Sequence, residues 1–319
     1  MINKETSQPE SAPANAEQIE QRNRQYAAGK RELKSIRWML FFIIAAQLVI
    51  TMLTTLIASF MTTPPHPYLQ VGIASLIAYS IPILFYAHAH KVKHIRQARD
   101  TFRLHRIKPQ LLPLVLLIGA GAQMLMILLN LPFSFLFKTD VYYTPTAWWE
   151  LTAGILVVGI IPAIFEEFMF RGILYGTMSE LSTRAAAIFT TVMFALLHAN
   201  PAGFLGYLFM GGVSIVLLRR TGSLVATVLF HFAVNTAALL MEYYSAFLFD
   251  FPMTMAVLFL GGILVFAAAM TIFCGVTKPQ PETGRKRTSS LLGQNFFSLP
   301  VLLCILGVIF LVIYTISNI

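Results

Sequence analysis

Residues 160–172 have the sequence IIPAIFEEFMFRG, which places two adjacent carboxylates, Glu166 and Glu167, and one guanidinium, Arg171, at the end of a long apolar run. An ionised carboxylate that is removed from water costs several kcal/mol unless it is paired. Charged residues inside an apolar segment are therefore typical of a functional site. The sequence predicts that this stretch is the centre of the molecule's function.

The composition of the 319-residue chain is that of a membrane protein. Hydrophobic residues make up 57% of the chain and charged residues only 12%, and the mean hydropathy is +0.71. Soluble domains carry about 25% charged residues. Repeated apolar runs of about 20 residues are typical of membrane-spanning helices. The sequence therefore predicts an all-α, polytopic transmembrane helical bundle with about 8–9 membrane segments.

The apolar runs divide the chain into candidate spans. They cover residues 37–61, 68–88, 110–137, 147–171, 184–199, 203–218, 223–241, 252–275 and 296–317. The runs 184–199 and 203–218 are short, and they form either a pair of spans or a hairpin that turns within the bilayer. Residues 1–29 are polar and contain two prolines, and we expect them to be a disordered tail.

The distribution of charge indicates a membrane orientation rather than nucleic-acid binding. The net charge is +9, but the basic residues collect in alternate loops, of which 88–108 is the most basic. In membrane proteins the loops that are rich in Lys and Arg usually lie on the cytoplasmic side. We therefore expect an integral protein of the cell or inner membrane with a cytoplasmic N-terminus, whose partners include the lipid bilayer and no nucleic acid.

A small set of strongly polar side chains stands out inside the apolar runs. Only two of the seven histidines and two of the fourteen acidic residues lie well inside such runs. An arginine and an asparagine join them, so that the set is Glu166, Glu167, Arg171, His198, His231 and Asn235.

Helical spacing predicts which of these groups share a face. Residues four apart are neighbours on a helix, so Glu167 can pair with Arg171, and His231 and Asn235 project together. Adjacent residues point about 100° apart, so the two glutamates need different partners. We expect Arg171 to neutralise Glu167, while Glu166 faces a polar cavity that contains the histidines and opens toward the cytoplasmic side.

Three short motifs occur in order on successive apolar segments: Glu166-Glu167-x-x-x-Arg171, Phe194-x-x-x-His198 and His231-x-x-x-Asn235. Together they resemble the motifs of the CAAX-protease and bacteriocin-processing (CPBP) family of intramembrane proteases, also called the Abi family. The resemblance covers roughly residues 148–240. It implies an intramembrane endopeptidase that hydrolyses a membrane-associated or lipidated protein or peptide.

With this resemblance, the chain is divided into four parts. Residues 1–35 are a polar cytoplasmic tail, 36–146 are N-terminal transmembrane helices, 147–242 are the CPBP-like catalytic core helices, and 243–319 are C-terminal transmembrane helices.

The resemblance also implies roles for the four site residues. Glu166 resembles the catalytic glutamate and His198 its partner in polarising a water molecule. His231 and Asn235 resemble the groups that hold the oxyanion, and two donors one turn apart can both reach one developing charge. Glu167 and Arg171 are supporting residues, for which a purely structural ion pair is an equally good interpretation.

Two questions stay open at this stage, namely whether a metal is used and whether the protein is a protease at all. One Glu and two His are an accepted zinc ligand set, so Glu166, His198 and His231 are the ligands if a metal is used. The resemblance favours a metal-free base, and no cofactor is expected. In place of a protease, the same polar groups suit a proton-coupled transporter, or a non-catalytic immunity or scaffold protein.

Overall fold

The protein is a bundle of α-helices in a computed structural model that describes residues 12–61, 66–137, 144–179, 182–281, 305–307, 309 and 313. Within these ranges the chain forms no β-strand. The predicted all-α fold class is confirmed.

Twelve α-helices follow one another along the described chain. They are α1 Ala12–Phe60, α2 Pro67–Ala89, α3 Ile95–Thr101, α4 Leu112–Leu136, α5 Trp148–Gly154, α6 Ile161–Glu167, α7 Gly176–Ser179, α8 Thr183–Leu197, α9 Phe204–Thr221, α10 Leu224–Tyr243, α11 Ser245–Asp250 and α12 Pro252–Val276. Two π-helical segments, Ile155–Ile160 and Phe168–Tyr175, join α5, α6 and α7 into one continuous helix, Trp148–Ser179.

Seven helices of the described part of the chain are long and apolar enough to cross a membrane. They are Leu33–Thr54, Val71–Ala89, Pro109–Leu136, Trp148–Ser179, Phe204–Thr221, Leu224–Tyr243 and Pro252–Val276. The chain is an integral, multi-pass membrane protein, as its composition predicts. The predicted segment 296–317 lies outside the described residues except at 305–307, 309 and 313.

The short run 184–199 corresponds to α8, which has only 15 residues. At 1.5 Å per residue such a helix is about 22 Å long, whereas the hydrocarbon core is about 30 Å thick. Helix α8 ends at Leu197, and the turn that follows it leads into α9 at Phe204. The turn therefore places His198 well inside the bundle rather than at its end.

The N-terminal tail differs from the prediction. From Ala12 onward the chain is helical, and it continues without a break into the first span. The segment 12–35 is rich in Ala, Glu, Gln, Lys and Arg, which are good helix formers. A helix that extends an existing one avoids the cost of nucleation, so these polar residues need no apolar face of their own.

The fourth predicted span is also longer than expected. The helix continues past Arg171 to Ser179, and Arg171 is fully buried. The predicted end of this span at residue 171 is therefore wrong. The charge of Arg171 is paired inside the bundle, so it does not need water.

Close packing of helices brings the three motif-bearing segments together. A Cβ atom at Gly119 of α4 would lie 2.6 Å from the Phe230 carbonyl oxygen of α10, so only glycine permits this approach. Helix α10 in turn packs against α6, and α8 packs against the second π-helical segment. Helix α10 starts sharply because Gly222 has φ +66° and the Ser223 hydroxyl accepts a hydrogen bond from the Val225 amide.

Candidate active site

The two glutamates lie on α6, between the two π-helical segments. Such wide turns occur frequently at functional sites, because they free backbone groups from the regular ladder. One such group is the Val158 carbonyl in the first segment, which accepts a hydrogen bond of 3.0 Å from the Asn235 amide nitrogen. The contact fixes the Asn235 side chain of α10 against the helix that carries Glu166.

Glu167 is the completely buried acceptor of two charged or polar donors. Its Oε1 atom lies 2.9 Å from Arg171 Nη1 and 3.0 Å from His231 Nδ1. Arg171 is also completely buried, and its guanidinium lies 4.3 Å from the centre of the Phe194 ring. The two opposite charges thus balance each other in a place without water, as the spacing of four residues predicts.

Glu166 points away from this pair and toward two imidazole rings. Its Oε2 atom lies 3.8 Å from His198 Nε2 and 3.9 Å from His231 Nε2. These separations are too long for direct hydrogen bonds. Within the described part of the chain, this buried oxygen has no hydrogen-bond partner. One small molecule, such as a water, can bridge the carboxylate to an imidazole at these distances.

Each histidine is held by its Nδ1 atom and presents its Nε2 atom to Glu166. His198 Nδ1 lies 2.7 Å from the Phe194 carbonyl oxygen, and its ring stacks on Tyr207 at 3.8 Å between centres. Because a carbonyl oxygen only accepts, we assign the proton to Nδ1 and the lone pair to Nε2. In the same way His231 Nδ1 donates to the Glu167 carboxylate.

A cavity of about 430 Å³ begins at these groups. Its walls include the two histidines, Glu166 and Asn235, and it continues to Tyr68, Asn130 and Glu242. The last three lie on the helix ends remote from the basic loop, so the predicted opening toward the basic side is wrong. The space on that side of Glu166 is filled by buried side chains, notably Phe170 and Phe194, which have no exposed surface.

All six predicted site residues lie close together. Each of them either contacts another of the six or lines the cavity. Tyr207, the Val158 carbonyl and Glu242 were not predicted. Tyr207 and Val158 sit in ordinary apolar runs and give no signal in the sequence. Glu242 lies at a helix end, where an acidic residue is usually only solvated.

The three side chains predicted as an alternative zinc ligand set lie somewhat further apart than the donors around a bound zinc ion. Donors around a tetrahedral zinc ion are about 3.4 Å apart, given bonds of about 2.0–2.2 Å. The Glu166 oxygen is 3.8 and 3.9 Å from the two imidazole nitrogens. Among the described residues, no group of three or more His, Cys, Asp or Glu side chains is arranged to hold a metal ion.

Comparison with known proteins agrees with the predicted resemblance. Residues 148–237 match the family model described as "Type II CAAX prenyl endopeptidase Rce1-like", and this segment contains all six site residues. The chain is also similar to "Putative membrane peptidase YdiL" of Bacillus subtilis (strain 168), with 30% identity over 89 residues. That similarity covers 28% of this chain and 36% of the relative, so the chain spans about a third of the length of the curated relative. No solved structure matches the chain.

Proposed function

We propose that the protein is an intramembrane endopeptidase that hydrolyses peptide bonds of a membrane-associated protein or peptide. The observation that carries the proposal is the unpartnered Glu166 oxygen, which faces two imidazole nitrogens at the wall of a large cavity. A buried carboxylate that does not satisfy its own hydrogen bonds reduces stability. A carboxylate in this position can act as a general base on a bound water molecule.

In the proposed reaction, one water molecule donates hydrogen bonds to the Glu166 carboxylate and to His198 Nε2. Its oxygen attacks the carbon of the scissile carbonyl, and its proton passes to Glu166. A carbon–oxygen bond forms as the carbonyl π electrons move to the carbonyl oxygen. Phe194 and Tyr207 hold the His198 ring, so that its lone pair faces the water throughout.

The resulting oxyanion is stabilised by His231 and Asn235. To donate to the oxyanion, His231 must carry a proton on Nε2, the ring atom that faces Glu166 at the cavity wall, in addition to the one on Nδ1. The Asn235 amide uses one hydrogen on the Val158 carbonyl and offers the second. When the carbon–nitrogen bond breaks, Glu166 returns its proton to the leaving amine, which restores the carboxylate.

The proposal is tested by a search for new protein termini in membranes. Cells that contain the wild-type protein are compared with cells that contain the Glu166→Gln variant at equal abundance, and membrane proteins are mapped by N-terminal mass spectrometry. We expect a set of internal cleavage sites that depends on Glu166. Identical termini in both samples, together with glutamate-dependent uptake of a solute, would instead support a transporter.

We propose that the reaction uses no metal ion. Exhaustive treatment of the purified protein with a zinc chelator is therefore expected to leave activity unchanged, and elemental analysis is expected to find no stoichiometric zinc. His231→Ala and Asn235→Ala should each lower the rate by about 10²–10³-fold, as the loss of one oxyanion donor does. Stoichiometric zinc, with activity lost to the chelator and restored by added zinc, would contradict the proposal. In that case Asn235→Ala would have little effect.

We also propose that the basic loop 88–108 is cytoplasmic, as the N-terminus is. A reporter fused after Arg106 is then expected on the cytoplasmic side, and one fused near Asp140 on the external side. The alternation of basic loops along the chain is the reason for this expectation. Both reporters on one side would contradict the order of spans, and reversed locations would contradict only the orientation.

A further inference from the structure

We propose that Glu242 selects substrates that carry a cationic group about five residues from the scissile bond. The inference rests on the proposed endopeptidase function and concerns the far end of the same cavity. Glu242 is half-buried and lines the cavity together with Glu166. It belongs to none of the three motifs, and the hydrolytic step does not use it.

One face of α10 connects Glu242 to the proposed oxyanion site. His231, Asn235, Ala238 and Glu242 follow at intervals of four, three and four residues, and all of them line the cavity. This spacing keeps them on one side of the helix. At 1.5 Å per residue, Glu242 is about 16 Å from His231 along the helix axis. An extended peptide that rises 3.3 Å per residue spans this distance with about five residues.

The Glu242 carboxylate is held by the Thr144 hydroxyl, and no Lys or Arg among the described residues neutralises it. The Thr144 hydroxyl donates a hydrogen bond of 2.5 Å to Glu242 Oε1. No Lys or Arg of the described chain forms an ion pair with Glu242, and none is among the described residues that line the cavity. The cavity therefore has a carboxylate at each end, and its remaining described walls are neutral or imidazole. A cavity lined by one sign of charge concentrates ligands of the opposite sign.

The ligand that matches this end of the cavity is an ammonium or a guanidinium group. In a peptide, the group is either the side chain of Lys or Arg or a free N-terminus. A charge-assisted hydrogen bond to Glu242 would fix how far the peptide enters, and hence which bond reaches Glu166. The carboxylate would then determine the cleavage position as well as the affinity.

The test uses the purified full-length protein in lipid nanodiscs and a mixed peptide library, with products identified by mass spectrometry. One half of the library is N-acetylated, so that side chains are its only cations. The other half has free N-termini and contains neither Lys nor Arg. With the wild-type protein we expect the cation to be enriched at one position, four to six residues from the cleaved bond. We expect preferred peptides to have a kcat/KM roughly ten-fold or more above that of neutral ones.

Three variants of Glu242 test whether its carboxylate selects the cation. Glu242→Gln should lose the positional enrichment, Glu242→Lys should replace it with enrichment of Asp and Glu, and Glu242→Asp should retain it in part. Asp250→Asn is the matched control, because Asp250 is exposed and does not line the cavity, and its cleavage profile should equal that of the wild type. The half of the library that shows the enrichment identifies the source of the cation.

The outcomes distinguish the two proposals. Glu166-dependent cleavage without positional enrichment, or with enrichment that survives Glu242→Gln, overturns the inference about Glu242 and leaves the endopeptidase function in place. Absence of any Glu166-dependent cleavage overturns both.

Discussion

Glu166→Gln is expected to lower peptide hydrolysis by roughly 10²–10⁴-fold, the usual contribution of a positioned general base. The folded protein should be as stable as the wild type. Gln has nearly the same shape as Glu, and the Glu166 oxygen that faces the histidines makes no hydrogen bond within the described structure. The change therefore removes the proton acceptor without breaking a stabilising contact, and it relieves the cost of a buried carboxylate.

The measurement combines single-turnover hydrolysis with thermal unfolding of the purified protein. Glu150→Gln is the control on the same continuous helix. Glu150 is buried outside the cavity and accepts hydrogen bonds from the Thr146 amide and hydroxyl, so its substitution should affect unfolding more than hydrolysis. A Glu166→Gln variant that is unstable, or that cleaves at the wild-type rate once stabilised, would show that Glu166 is a structural residue.

Arg171→Ala is expected to lower the free energy of unfolding by roughly 3–5 kcal/mol, the cost of breaking a buried ion pair. The variant would leave the Glu167 carboxylate, which has no exposed surface, without its cationic partner, and only the hydrogen bonds to the His231 and Thr227 side chains would remain among the described contacts. It would also remove the guanidinium that lies over the Phe194 ring and donates to the Gly211 carbonyl. We therefore expect low abundance in membranes before any effect on the reaction is seen.

Abundance by immunoblot and unfolding in detergent measure this effect. Arg184→Ala is the matched control, because Arg184 is exposed. In the double variant with Glu167→Gln, the uncompensated charge is gone, and part of the lost stability should return. Equal stability of Arg171→Ala and Arg184→Ala would mean that the buried pair contributes nothing to folding.

The sequence was sufficient to predict that the two glutamates point in different directions, one toward Arg171 and the other toward the histidines. Adjacent positions on a helix point about 100° apart, so a spacing of four residues pairs Arg171 with Glu167, and Glu166 is left to face the histidines. The structure has this arrangement. The rarity of charge in apolar runs was the second useful signal, since it isolated the site residues without any tertiary information.

Other features depend on tertiary contacts and had no local signal. His231 contacts both carboxylates through its two nitrogens, which requires α10 to lie beside α6 at one rotation. Asn235 is held by a carbonyl that a regular α-helix would have used internally, and no sequence pattern predicts that π-helical turn. The direction of the cavity follows from which side of Glu166 the Phe170 and Phe194 rings fill.

Glu166 lies at the inner end of the cavity, so in the proposed reaction water and peptide would have to bind in a fixed order. In the proposed reaction, a peptide that occupies the space between Glu242 and Asn235 would fill the part of the cavity that leads to the Glu166 carboxylate. The water that is consumed must therefore enter before the peptide, and its replacement must wait until a product leaves. In the proposed reaction, each turnover then uses one water molecule that is already in the cavity when the peptide binds.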